Sequence, residues 1–316
     1  MEESMKKLVF TGTYTGSGSE GVYNFAFEDG KFGKPSLFTA VKNPKYIDID
    51  GNQLVCCGDF ENGSGAALVN EKGEIIDKKV FEQRTSCFIT KSGDRVYTAN
   101  YHEGTFTALK VQDNALSLIQ TVHIRDGAGC HQVLVGKDRL LVPSLFLDRV
   151  MMYDFNLNPI GSIRFTHGTG PRHGVFSHDG KYLYLTSELS NEVFAIDTDK
   201  WEIENSIDVL PNGEKHVRGG AAIRLNEAGD RLYISTRGKD VISVIEVNGK
   251  EMKLKQTVLS GGRQPRDFIL AGKYLLCADR YSNKVVSFEL HEDGTIGSMI
   301  DEVQIPEPVS LKTVDL

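Results

Sequence analysis

The 316-residue sequence has no apolar run approaching the roughly 18 residues that a membrane-spanning helix needs, so no membrane span is predicted. Its start, MEESMKKLVFTGTYT, lacks the apolar core of about 7–15 residues and the small-residue cleavage site of a secretory leader. It has a single tryptophan, Trp201, and no repeated W-D dipeptide, which weakens a WD-repeat scaffold. Basic charge is in deficit as well. A net charge of −7 argues against a general nucleic-acid or anionic-membrane binder, and no RNP or zinc-finger pattern appears. The five cysteines, Cys56, Cys57, Cys87, Cys130 and Cys277, are odd in number and show no C-x-x-C spacing. Most lie in apolar strand-like runs, so they read as reduced, buried thiols of a cytoplasmic protein. The eight histidines form no H-E-x-x-H or H-x-H pair, and no G-x-S-x-G elbow is present. No metal site and no cofactor are therefore expected. Oligomeric state is not legible from the sequence.

What the sequence does have is a repeat. A turn, a basic or polar pair and an apolar strand recur as KKLVFTG, NQLVCCG, DRVYTAN, DRLLVPS, KYLYLTS, DRLYIST and KYLLCAD. Their anchor residues are Leu8, Leu54, Val96, Leu140, Leu183, Leu232 and Leu275, spaced 42 to 49 residues apart. In the clearest copy, RHGVF, KYLYLTS, EVFAID and EIENSIDVL are four short strands separated by turn residues. Four strands per repeat of about 45 residues is the signature of a β-propeller blade. The expectation is an all-β, seven-bladed propeller of four-stranded antiparallel blades, filling residues 1–316 as one domain. Leu8 lies too near the start to have its own preceding inner strand, whereas PEPVSLKTV (306–314) resembles the inner strand NPKYIDI. The C-terminal strand should therefore complete the N-terminal blade and close the ring.

The repeat also superposes chemistry. In each blade the first strand begins, and the second ends, at the same mouth of the central channel. Inner-strand starts contribute Lys45, His131, Arg172 with His173, and Arg266 with Asp267. The position five residues past the anchor contributes Tyr101, Glu188, Arg237 and Arg280. Strand alternation means that only one of each adjacent pair need face the axis. Any one such residue is explained as well by a wet, polar channel mouth or an ion pair between blades. The set of arginines with a histidine and a glutamate is better explained as an anion-binding cluster with a built-in acid or base. Unpaired arginines in a concave site repel one another unless an anion joins them.

The ordered segments GTYT, NPKYIDI, YTANYHEGTFTALKV, GCHQV, GPRHGVFSHDGKYLYLTSELSNEV, DRLYISTRG, QPRDF and IPEPVSLK resemble the seven-bladed propeller lactonases, the cycloisomerase-2 type 6-phosphogluconolactonases. The resemblance runs end to end. It implies metal-independent hydrolysis of a sugar lactone, 6-phosphogluconolactone-like, or lactone formation as in the fungal muconate-lactonizing branch. It places the family's active-site residues on His131, Arg172, Glu188 and Arg237, with Arg266 matching the arginine of the PRDF segment. Substrate-binding candidates are Arg266, His173, Asp267, Lys45 and Arg280. Many members carry an acid where this chain has Ala222. The implied partner is a small anionic lactone. The alternative class is a non-catalytic propeller binding an anion or a protein on one rim.

Opening a lactone needs an activated water, a stabilised oxyanion and a proton for the leaving ring oxygen. An ordinary histidine, with a pKa near 6.5, suits His131 to general base catalysis at neutral pH. Glu188 could orient that histidine or serve as base itself. Arg172 and Arg237 suit an oxyanion or a substrate phosphate.

Overall fold

The computed structural model describes residues 6–211 and 217–316. Residues 1–5, the start of the stretch without a leader-like core, lie outside the described residues, as do 212–216. Among the described residues the strands form seven sheets and no α-helix occurs. Blades 2 to 7 are four-stranded, spanning 47–82, 88–123, 134–164, 171–208, 220–259 and 265–304. Blade 1 joins Lys6–Thr13, Gly21–Glu28 and two short outer strands to Pro308–Asp315. The expected seven-bladed propeller is therefore the observed fold. The predicted closure is also found: Pro308–Asp315 runs antiparallel to Lys6–Thr13, with Leu311 opposite Thr11 and Val314 opposite Leu8.

The anchor residues have a common physical reason. Val96, Leu140, Leu183, Leu232 and Leu275 are fully buried and Leu54 nearly so, because each second strand is covered by a neighbouring blade on both faces. Leu8, at the seam, is only partly buried. The core is thus a ring of apolar layers between blades rather than one central mass. Each layer draws on neighbouring sheets, for example Tyr184, Val193 and Ala195 of blade 5 against Ile223, Leu232 and Ile245 of blade 6. The residue after the anchor adds a repeated strut. Tyr184 donates its hydroxyl to the Gly249 carbonyl of the next blade at 2.7 Å, and Tyr233 does the same to Gly294 at 2.7 Å.

The channel is not open through its length. Tyr46, Phe88 and His173, all at most 8% exposed, pack together across it, with His173 edge-on to the other two rings. Their ring centroids are 4.7 Å apart for Tyr46–Phe88, 5.8 Å for Phe88–His173 and 6.2 Å for Tyr46–His173. This aromatic floor separates two mouths.

Candidate active site

Strand register sets the site. Counting from the pairs Ile47–Cys56, Ile89–Thr98, Gly174–Leu185, Ile223–Ile234 and Phe268–Cys277, equivalent inner-strand positions hold Lys45, Cys87, His131, Arg172, Ala221, Arg266 and Ser310. A second ring is fixed where strand two ends. There Glu188 donates its backbone N–H to the Gly170 carbonyl at 2.8 Å, Arg237 to Gly219 at 2.8 Å and Arg280 to Gln264 at 3.1 Å. One backbone device in three blades therefore turns three different side chains toward the same mouth.

Simple alternation does not hold at the two P-R segments. The register slips between Pro171 and His173 and again between Pro265 and Asp267, so Arg172 and Arg266 are the extra residues of β-bulges. A bulge re-aims a side chain that regular pleating would send elsewhere. Consequently Arg172 and His173 both enter the channel interior, at 1% and 3% exposure. Alternation requires only one of that pair to face the axis, and the bulge brings in both.

The residues enclose a cavity of about 230 Å³ at this mouth. Lys45, His131, Glu188, Arg237 and Arg266 line it, together with Tyr14, Thr85, Cys87, Tyr101 and His102. Glu188 is its only carboxylate among the described lining residues, against three cations. Glu188 Oε2 lies 2.8 Å from Arg172 Nε and 2.8 Å from Arg237 Nη2. Arg172 stands behind the cavity wall, and its Nη1 donates to the Ala221 carbonyl at 2.5 Å. Two of the arginines are thus not the unpaired cations expected, since one carboxylate joins them. Arg266 differs: its buried Nε has no hydrogen-bond partner. His131 Nδ1 lies 3.1 Å from His173 Nε2, which also lies 3.2 Å from the His131 carbonyl oxygen.

Charge and burial set the protonation states. Burial by itself would raise the Glu188 carboxyl, but Arg237, Arg172 and Arg266 outweigh it and hold it below its ordinary value. Burial, then the positive charge of Arg172, pushes His131 well below an ordinary histidine. His131 is therefore neutral at neutral pH rather than poised near 6.5. Burial also lowers Arg237, to about 10, with Arg172 adding to the shift and Glu188 opposing it. The Cys87 thiol is pushed up to about 11 by burial despite three nearby cations, so it stays protonated and is a poor nucleophile.

The other sequence candidates lie off the cavity. His173 sits in the floor behind His131. Asp267, 2% exposed, holds the register position of His173 in its own blade. It pairs with Arg224 Nη2 at 2.5 Å and accepts the Leu311 N–H at 3.0 Å, tying blades 6, 7 and 1 together. Arg280 is one layer back, held by Glu307 Oε1 at 2.8 and 3.1 Å with its guanidinium 3.8 Å above the Tyr14 ring. Asp267 and Arg280 are corrected to supports rather than lining residues, because each already has its carboxylate or guanidinium partner. Ala222 is wholly buried against Tyr233 and Phe268. Tyr14, Thr85 and His102 escaped sequence reasoning because they lie in loops outside the strand repeat. Cys87 could have been found from its register with His131 and Arg172. Among the described residues no group of three or more His, Cys, Asp or Glu side chains stands together as a metal-ligand set. Among the described residues no helix is long and apolar enough to cross a membrane.

Residues 8–313 match the family described as "Lactonase, 7-bladed beta-propeller". The chain belongs to this lactonase family. A relative named 6-phosphogluconolactonase, from Bacillus subtilis, is 28% identical, over 97% of this chain and 98% of its own length. The crystal structure of a putative 6-phosphogluconolactonase from Bacteroides fragilis superposes with a TM-score of 0.87 at 25% identity, covering 98% of each chain. A Lactobacillus plantarum protein of known structure gives a TM-score of 0.88 at 25% identity, over 98% of this chain and all of that one. The lactonase fold of this chain is thus spread over its whole length, with no blade missing from the match.

Proposed function

We propose that this protein hydrolyses the ring ester of a phosphorylated sugar lactone, 6-phosphogluconolactone-like, at the mouth lined by His131, Glu188, Arg237 and Arg266. The observation that carries the reading is a cavity in which three cations, Lys45, Arg237 and Arg266, face one carboxylate, Glu188. Such an excess of positive charge in a concave site is matched by an anionic ligand. The name borne by the Bacillus subtilis relative supports the same substrate class. Water adds to the lactone carbonyl, the ring C–O bond breaks, and the ring oxygen leaves with a proton to give the open hydroxy acid. Arg237 and Arg172 stabilise charge near the reacting carbonyl, while Arg266 and Lys45 hold the substrate anion. The chain works as one domain, and its five free thiols suit the reducing cytoplasm.

The test is turnover of 6-phosphogluconolactone against unphosphorylated gluconolactone. Arg266→Ala should raise KM for the phosphorylated substrate by about 10–150-fold, the worth of one charged hydrogen bond, with kcat changed far less. A wild-type protein that opens neither lactone, or a variant with unaltered KM, would overturn the reading. The chemistry assigned here uses side chains alone, so hydrolysis should also survive exhaustive dialysis against EDTA. Loss of activity that Ca²⁺ or Zn²⁺ restores would contradict it.

A further inference from the structure

The contact between two buried imidazoles decides which way His131 holds its proton. His173 Nε2 faces two atoms of His131, the ring Nδ1 at 3.1 Å and the backbone carbonyl oxygen at 3.2 Å. The carbonyl can only accept. If His173 Nε2 carried a lone pair instead of a proton, it would oppose that oxygen, and its proton would sit on Nδ1. But His173 Nδ1 is buried without any hydrogen-bond partner. A buried N–H with no acceptor is rarer and costlier than an unfilled lone pair. Both observations put the His173 proton on Nε2, from which it reaches the carbonyl and His131 Nδ1. His131 Nδ1 must then be the acceptor, and a neutral His131 carries its own proton on Nε2. That Nε2 has no partner among the described residues and is not enclosed, while His131 lines the cavity. The side chain therefore offers the cavity a donor and no lone pair.

Glu188 complements this. Both arginines meet its Oε2, whereas Oε1 accepts no hydrogen bond from the described residues and is likewise not enclosed. We propose that His173 is a positioning residue that fixes His131 as the Nε2–H tautomer, so that His131 donates a hydrogen bond to the lactone oxyanion and Glu188 Oε1 is the base. The inference rests on the lactonase reading for its chemistry, but the tautomer stands on the two imidazoles alone. The proton balance closes without another group. Glu188 takes a proton from the attacking water and returns it to the ring oxygen as the C–O bond breaks. His131 keeps its proton throughout, which a neutral imidazole facing Arg172, Arg237 and Arg266 is suited to do. Edge contacts of His173 with Tyr46 and Phe88 hold its ring in the plane this requires.

The experiment is ring-nitrogen NMR of the full chain labelled with ¹⁵N-histidine, assigned through His131→Gln and His173→Leu. The wild type should show His131 protonated on Nε2 and bare on Nδ1 at neutral pH. His173→Leu removes the donor and should let the Nδ1–H form appear, lowering kcat about 10-fold or more with KM little moved. His173→Gln, whose amide can still donate to Nδ1, should restore much of both. His131→Gln keeps a donor toward the cavity and should retain more kcat than His131→Ala, which should lose about 10²–10³-fold. A proton on Nδ1 in the wild type, or His131→Gln no better than His131→Ala, would overturn the proposal. A wild type that opens no lactone would instead overturn the lactonase reading, and the ring-nitrogen spectrum would still decide the tautomer.

Discussion

Glu188→Gln is expected to abolish nearly all lactone hydrolysis and to weaken the fold at the same time. The substitution keeps the shape of the side chain and removes its charge. As the base of the proposed reaction, Glu188 accounts for about 10²–10⁴ in kcat, the usual worth of a positioned proton acceptor. Its second role is electrostatic. Arg172 is almost wholly buried and Arg237 nearly so, and one carboxylate oxygen lies 2.8 Å from each. Removing one member of a buried ion pair leaves an uncompensated charge and costs about 3–5 kcal/mol. Assays of kcat and thermal melting on the same preparation should therefore both move. An inactive variant that melts like the wild type would separate the two roles and place the counter-charge elsewhere. An active, stable variant would remove Glu188 from the chemistry.

Truncation after Glu307 should leave a chain that does not fold at ambient temperature. Pro308–Asp315 is the innermost strand of blade 1 and pairs along Lys7–Thr13. It brings Val309 and Leu311 into the core at 4% and 0% exposure. Burial of two such side chains is worth about 3–6 kcal/mol, against a total stability of about 5–15 kcal/mol for an ordinary protein. The deletion also strands Asp267, which loses the Leu311 N–H, and Asp48, which loses Lys312 at 2.7 Å. A melting curve, read beside that of the full chain, checks this. A truncated protein with an unchanged midpoint would mean that blade 1 closes without this strand.

The fold was legible in the sequence because its cause repeats. Each anchor is apolar for the same reason, coverage by a neighbouring blade, so the spacing from Leu8 to Leu275 reads as seven copies of one event. The C-terminal strand was legible because PEPVSLKTV carries the pattern of an inner strand with no second strand after it. The site was legible only as far as the repeat reaches. Register brings Lys45, His131, Arg266, Glu188 and Arg237 to one mouth, and each of these positions follows from counting along a strand. What lies between blades does not repeat. Nothing near Asp267 in sequence announces Arg224, and nothing near Arg280 announces Glu307 or Tyr14. The bulges at Arg172 and Arg266 were hidden too, since a proline before an arginine reads equally as an ordinary strand start.

The aromatic floor of Tyr46, Phe88 and His173 gives the candidate cavity a single door. On the proposed reaction, a hydroxy acid made above that floor would have to back out through the opening by which the lactone came in rather than through the far end of the channel. Entry and exit are therefore mutually exclusive events at one threshold. The newly formed carboxylate, leaving past Lys45, Arg237 and Arg266, is itself an anion of the kind those residues are suited to grip. On the proposed reaction, accumulating product would therefore compete with fresh substrate for the same doorway.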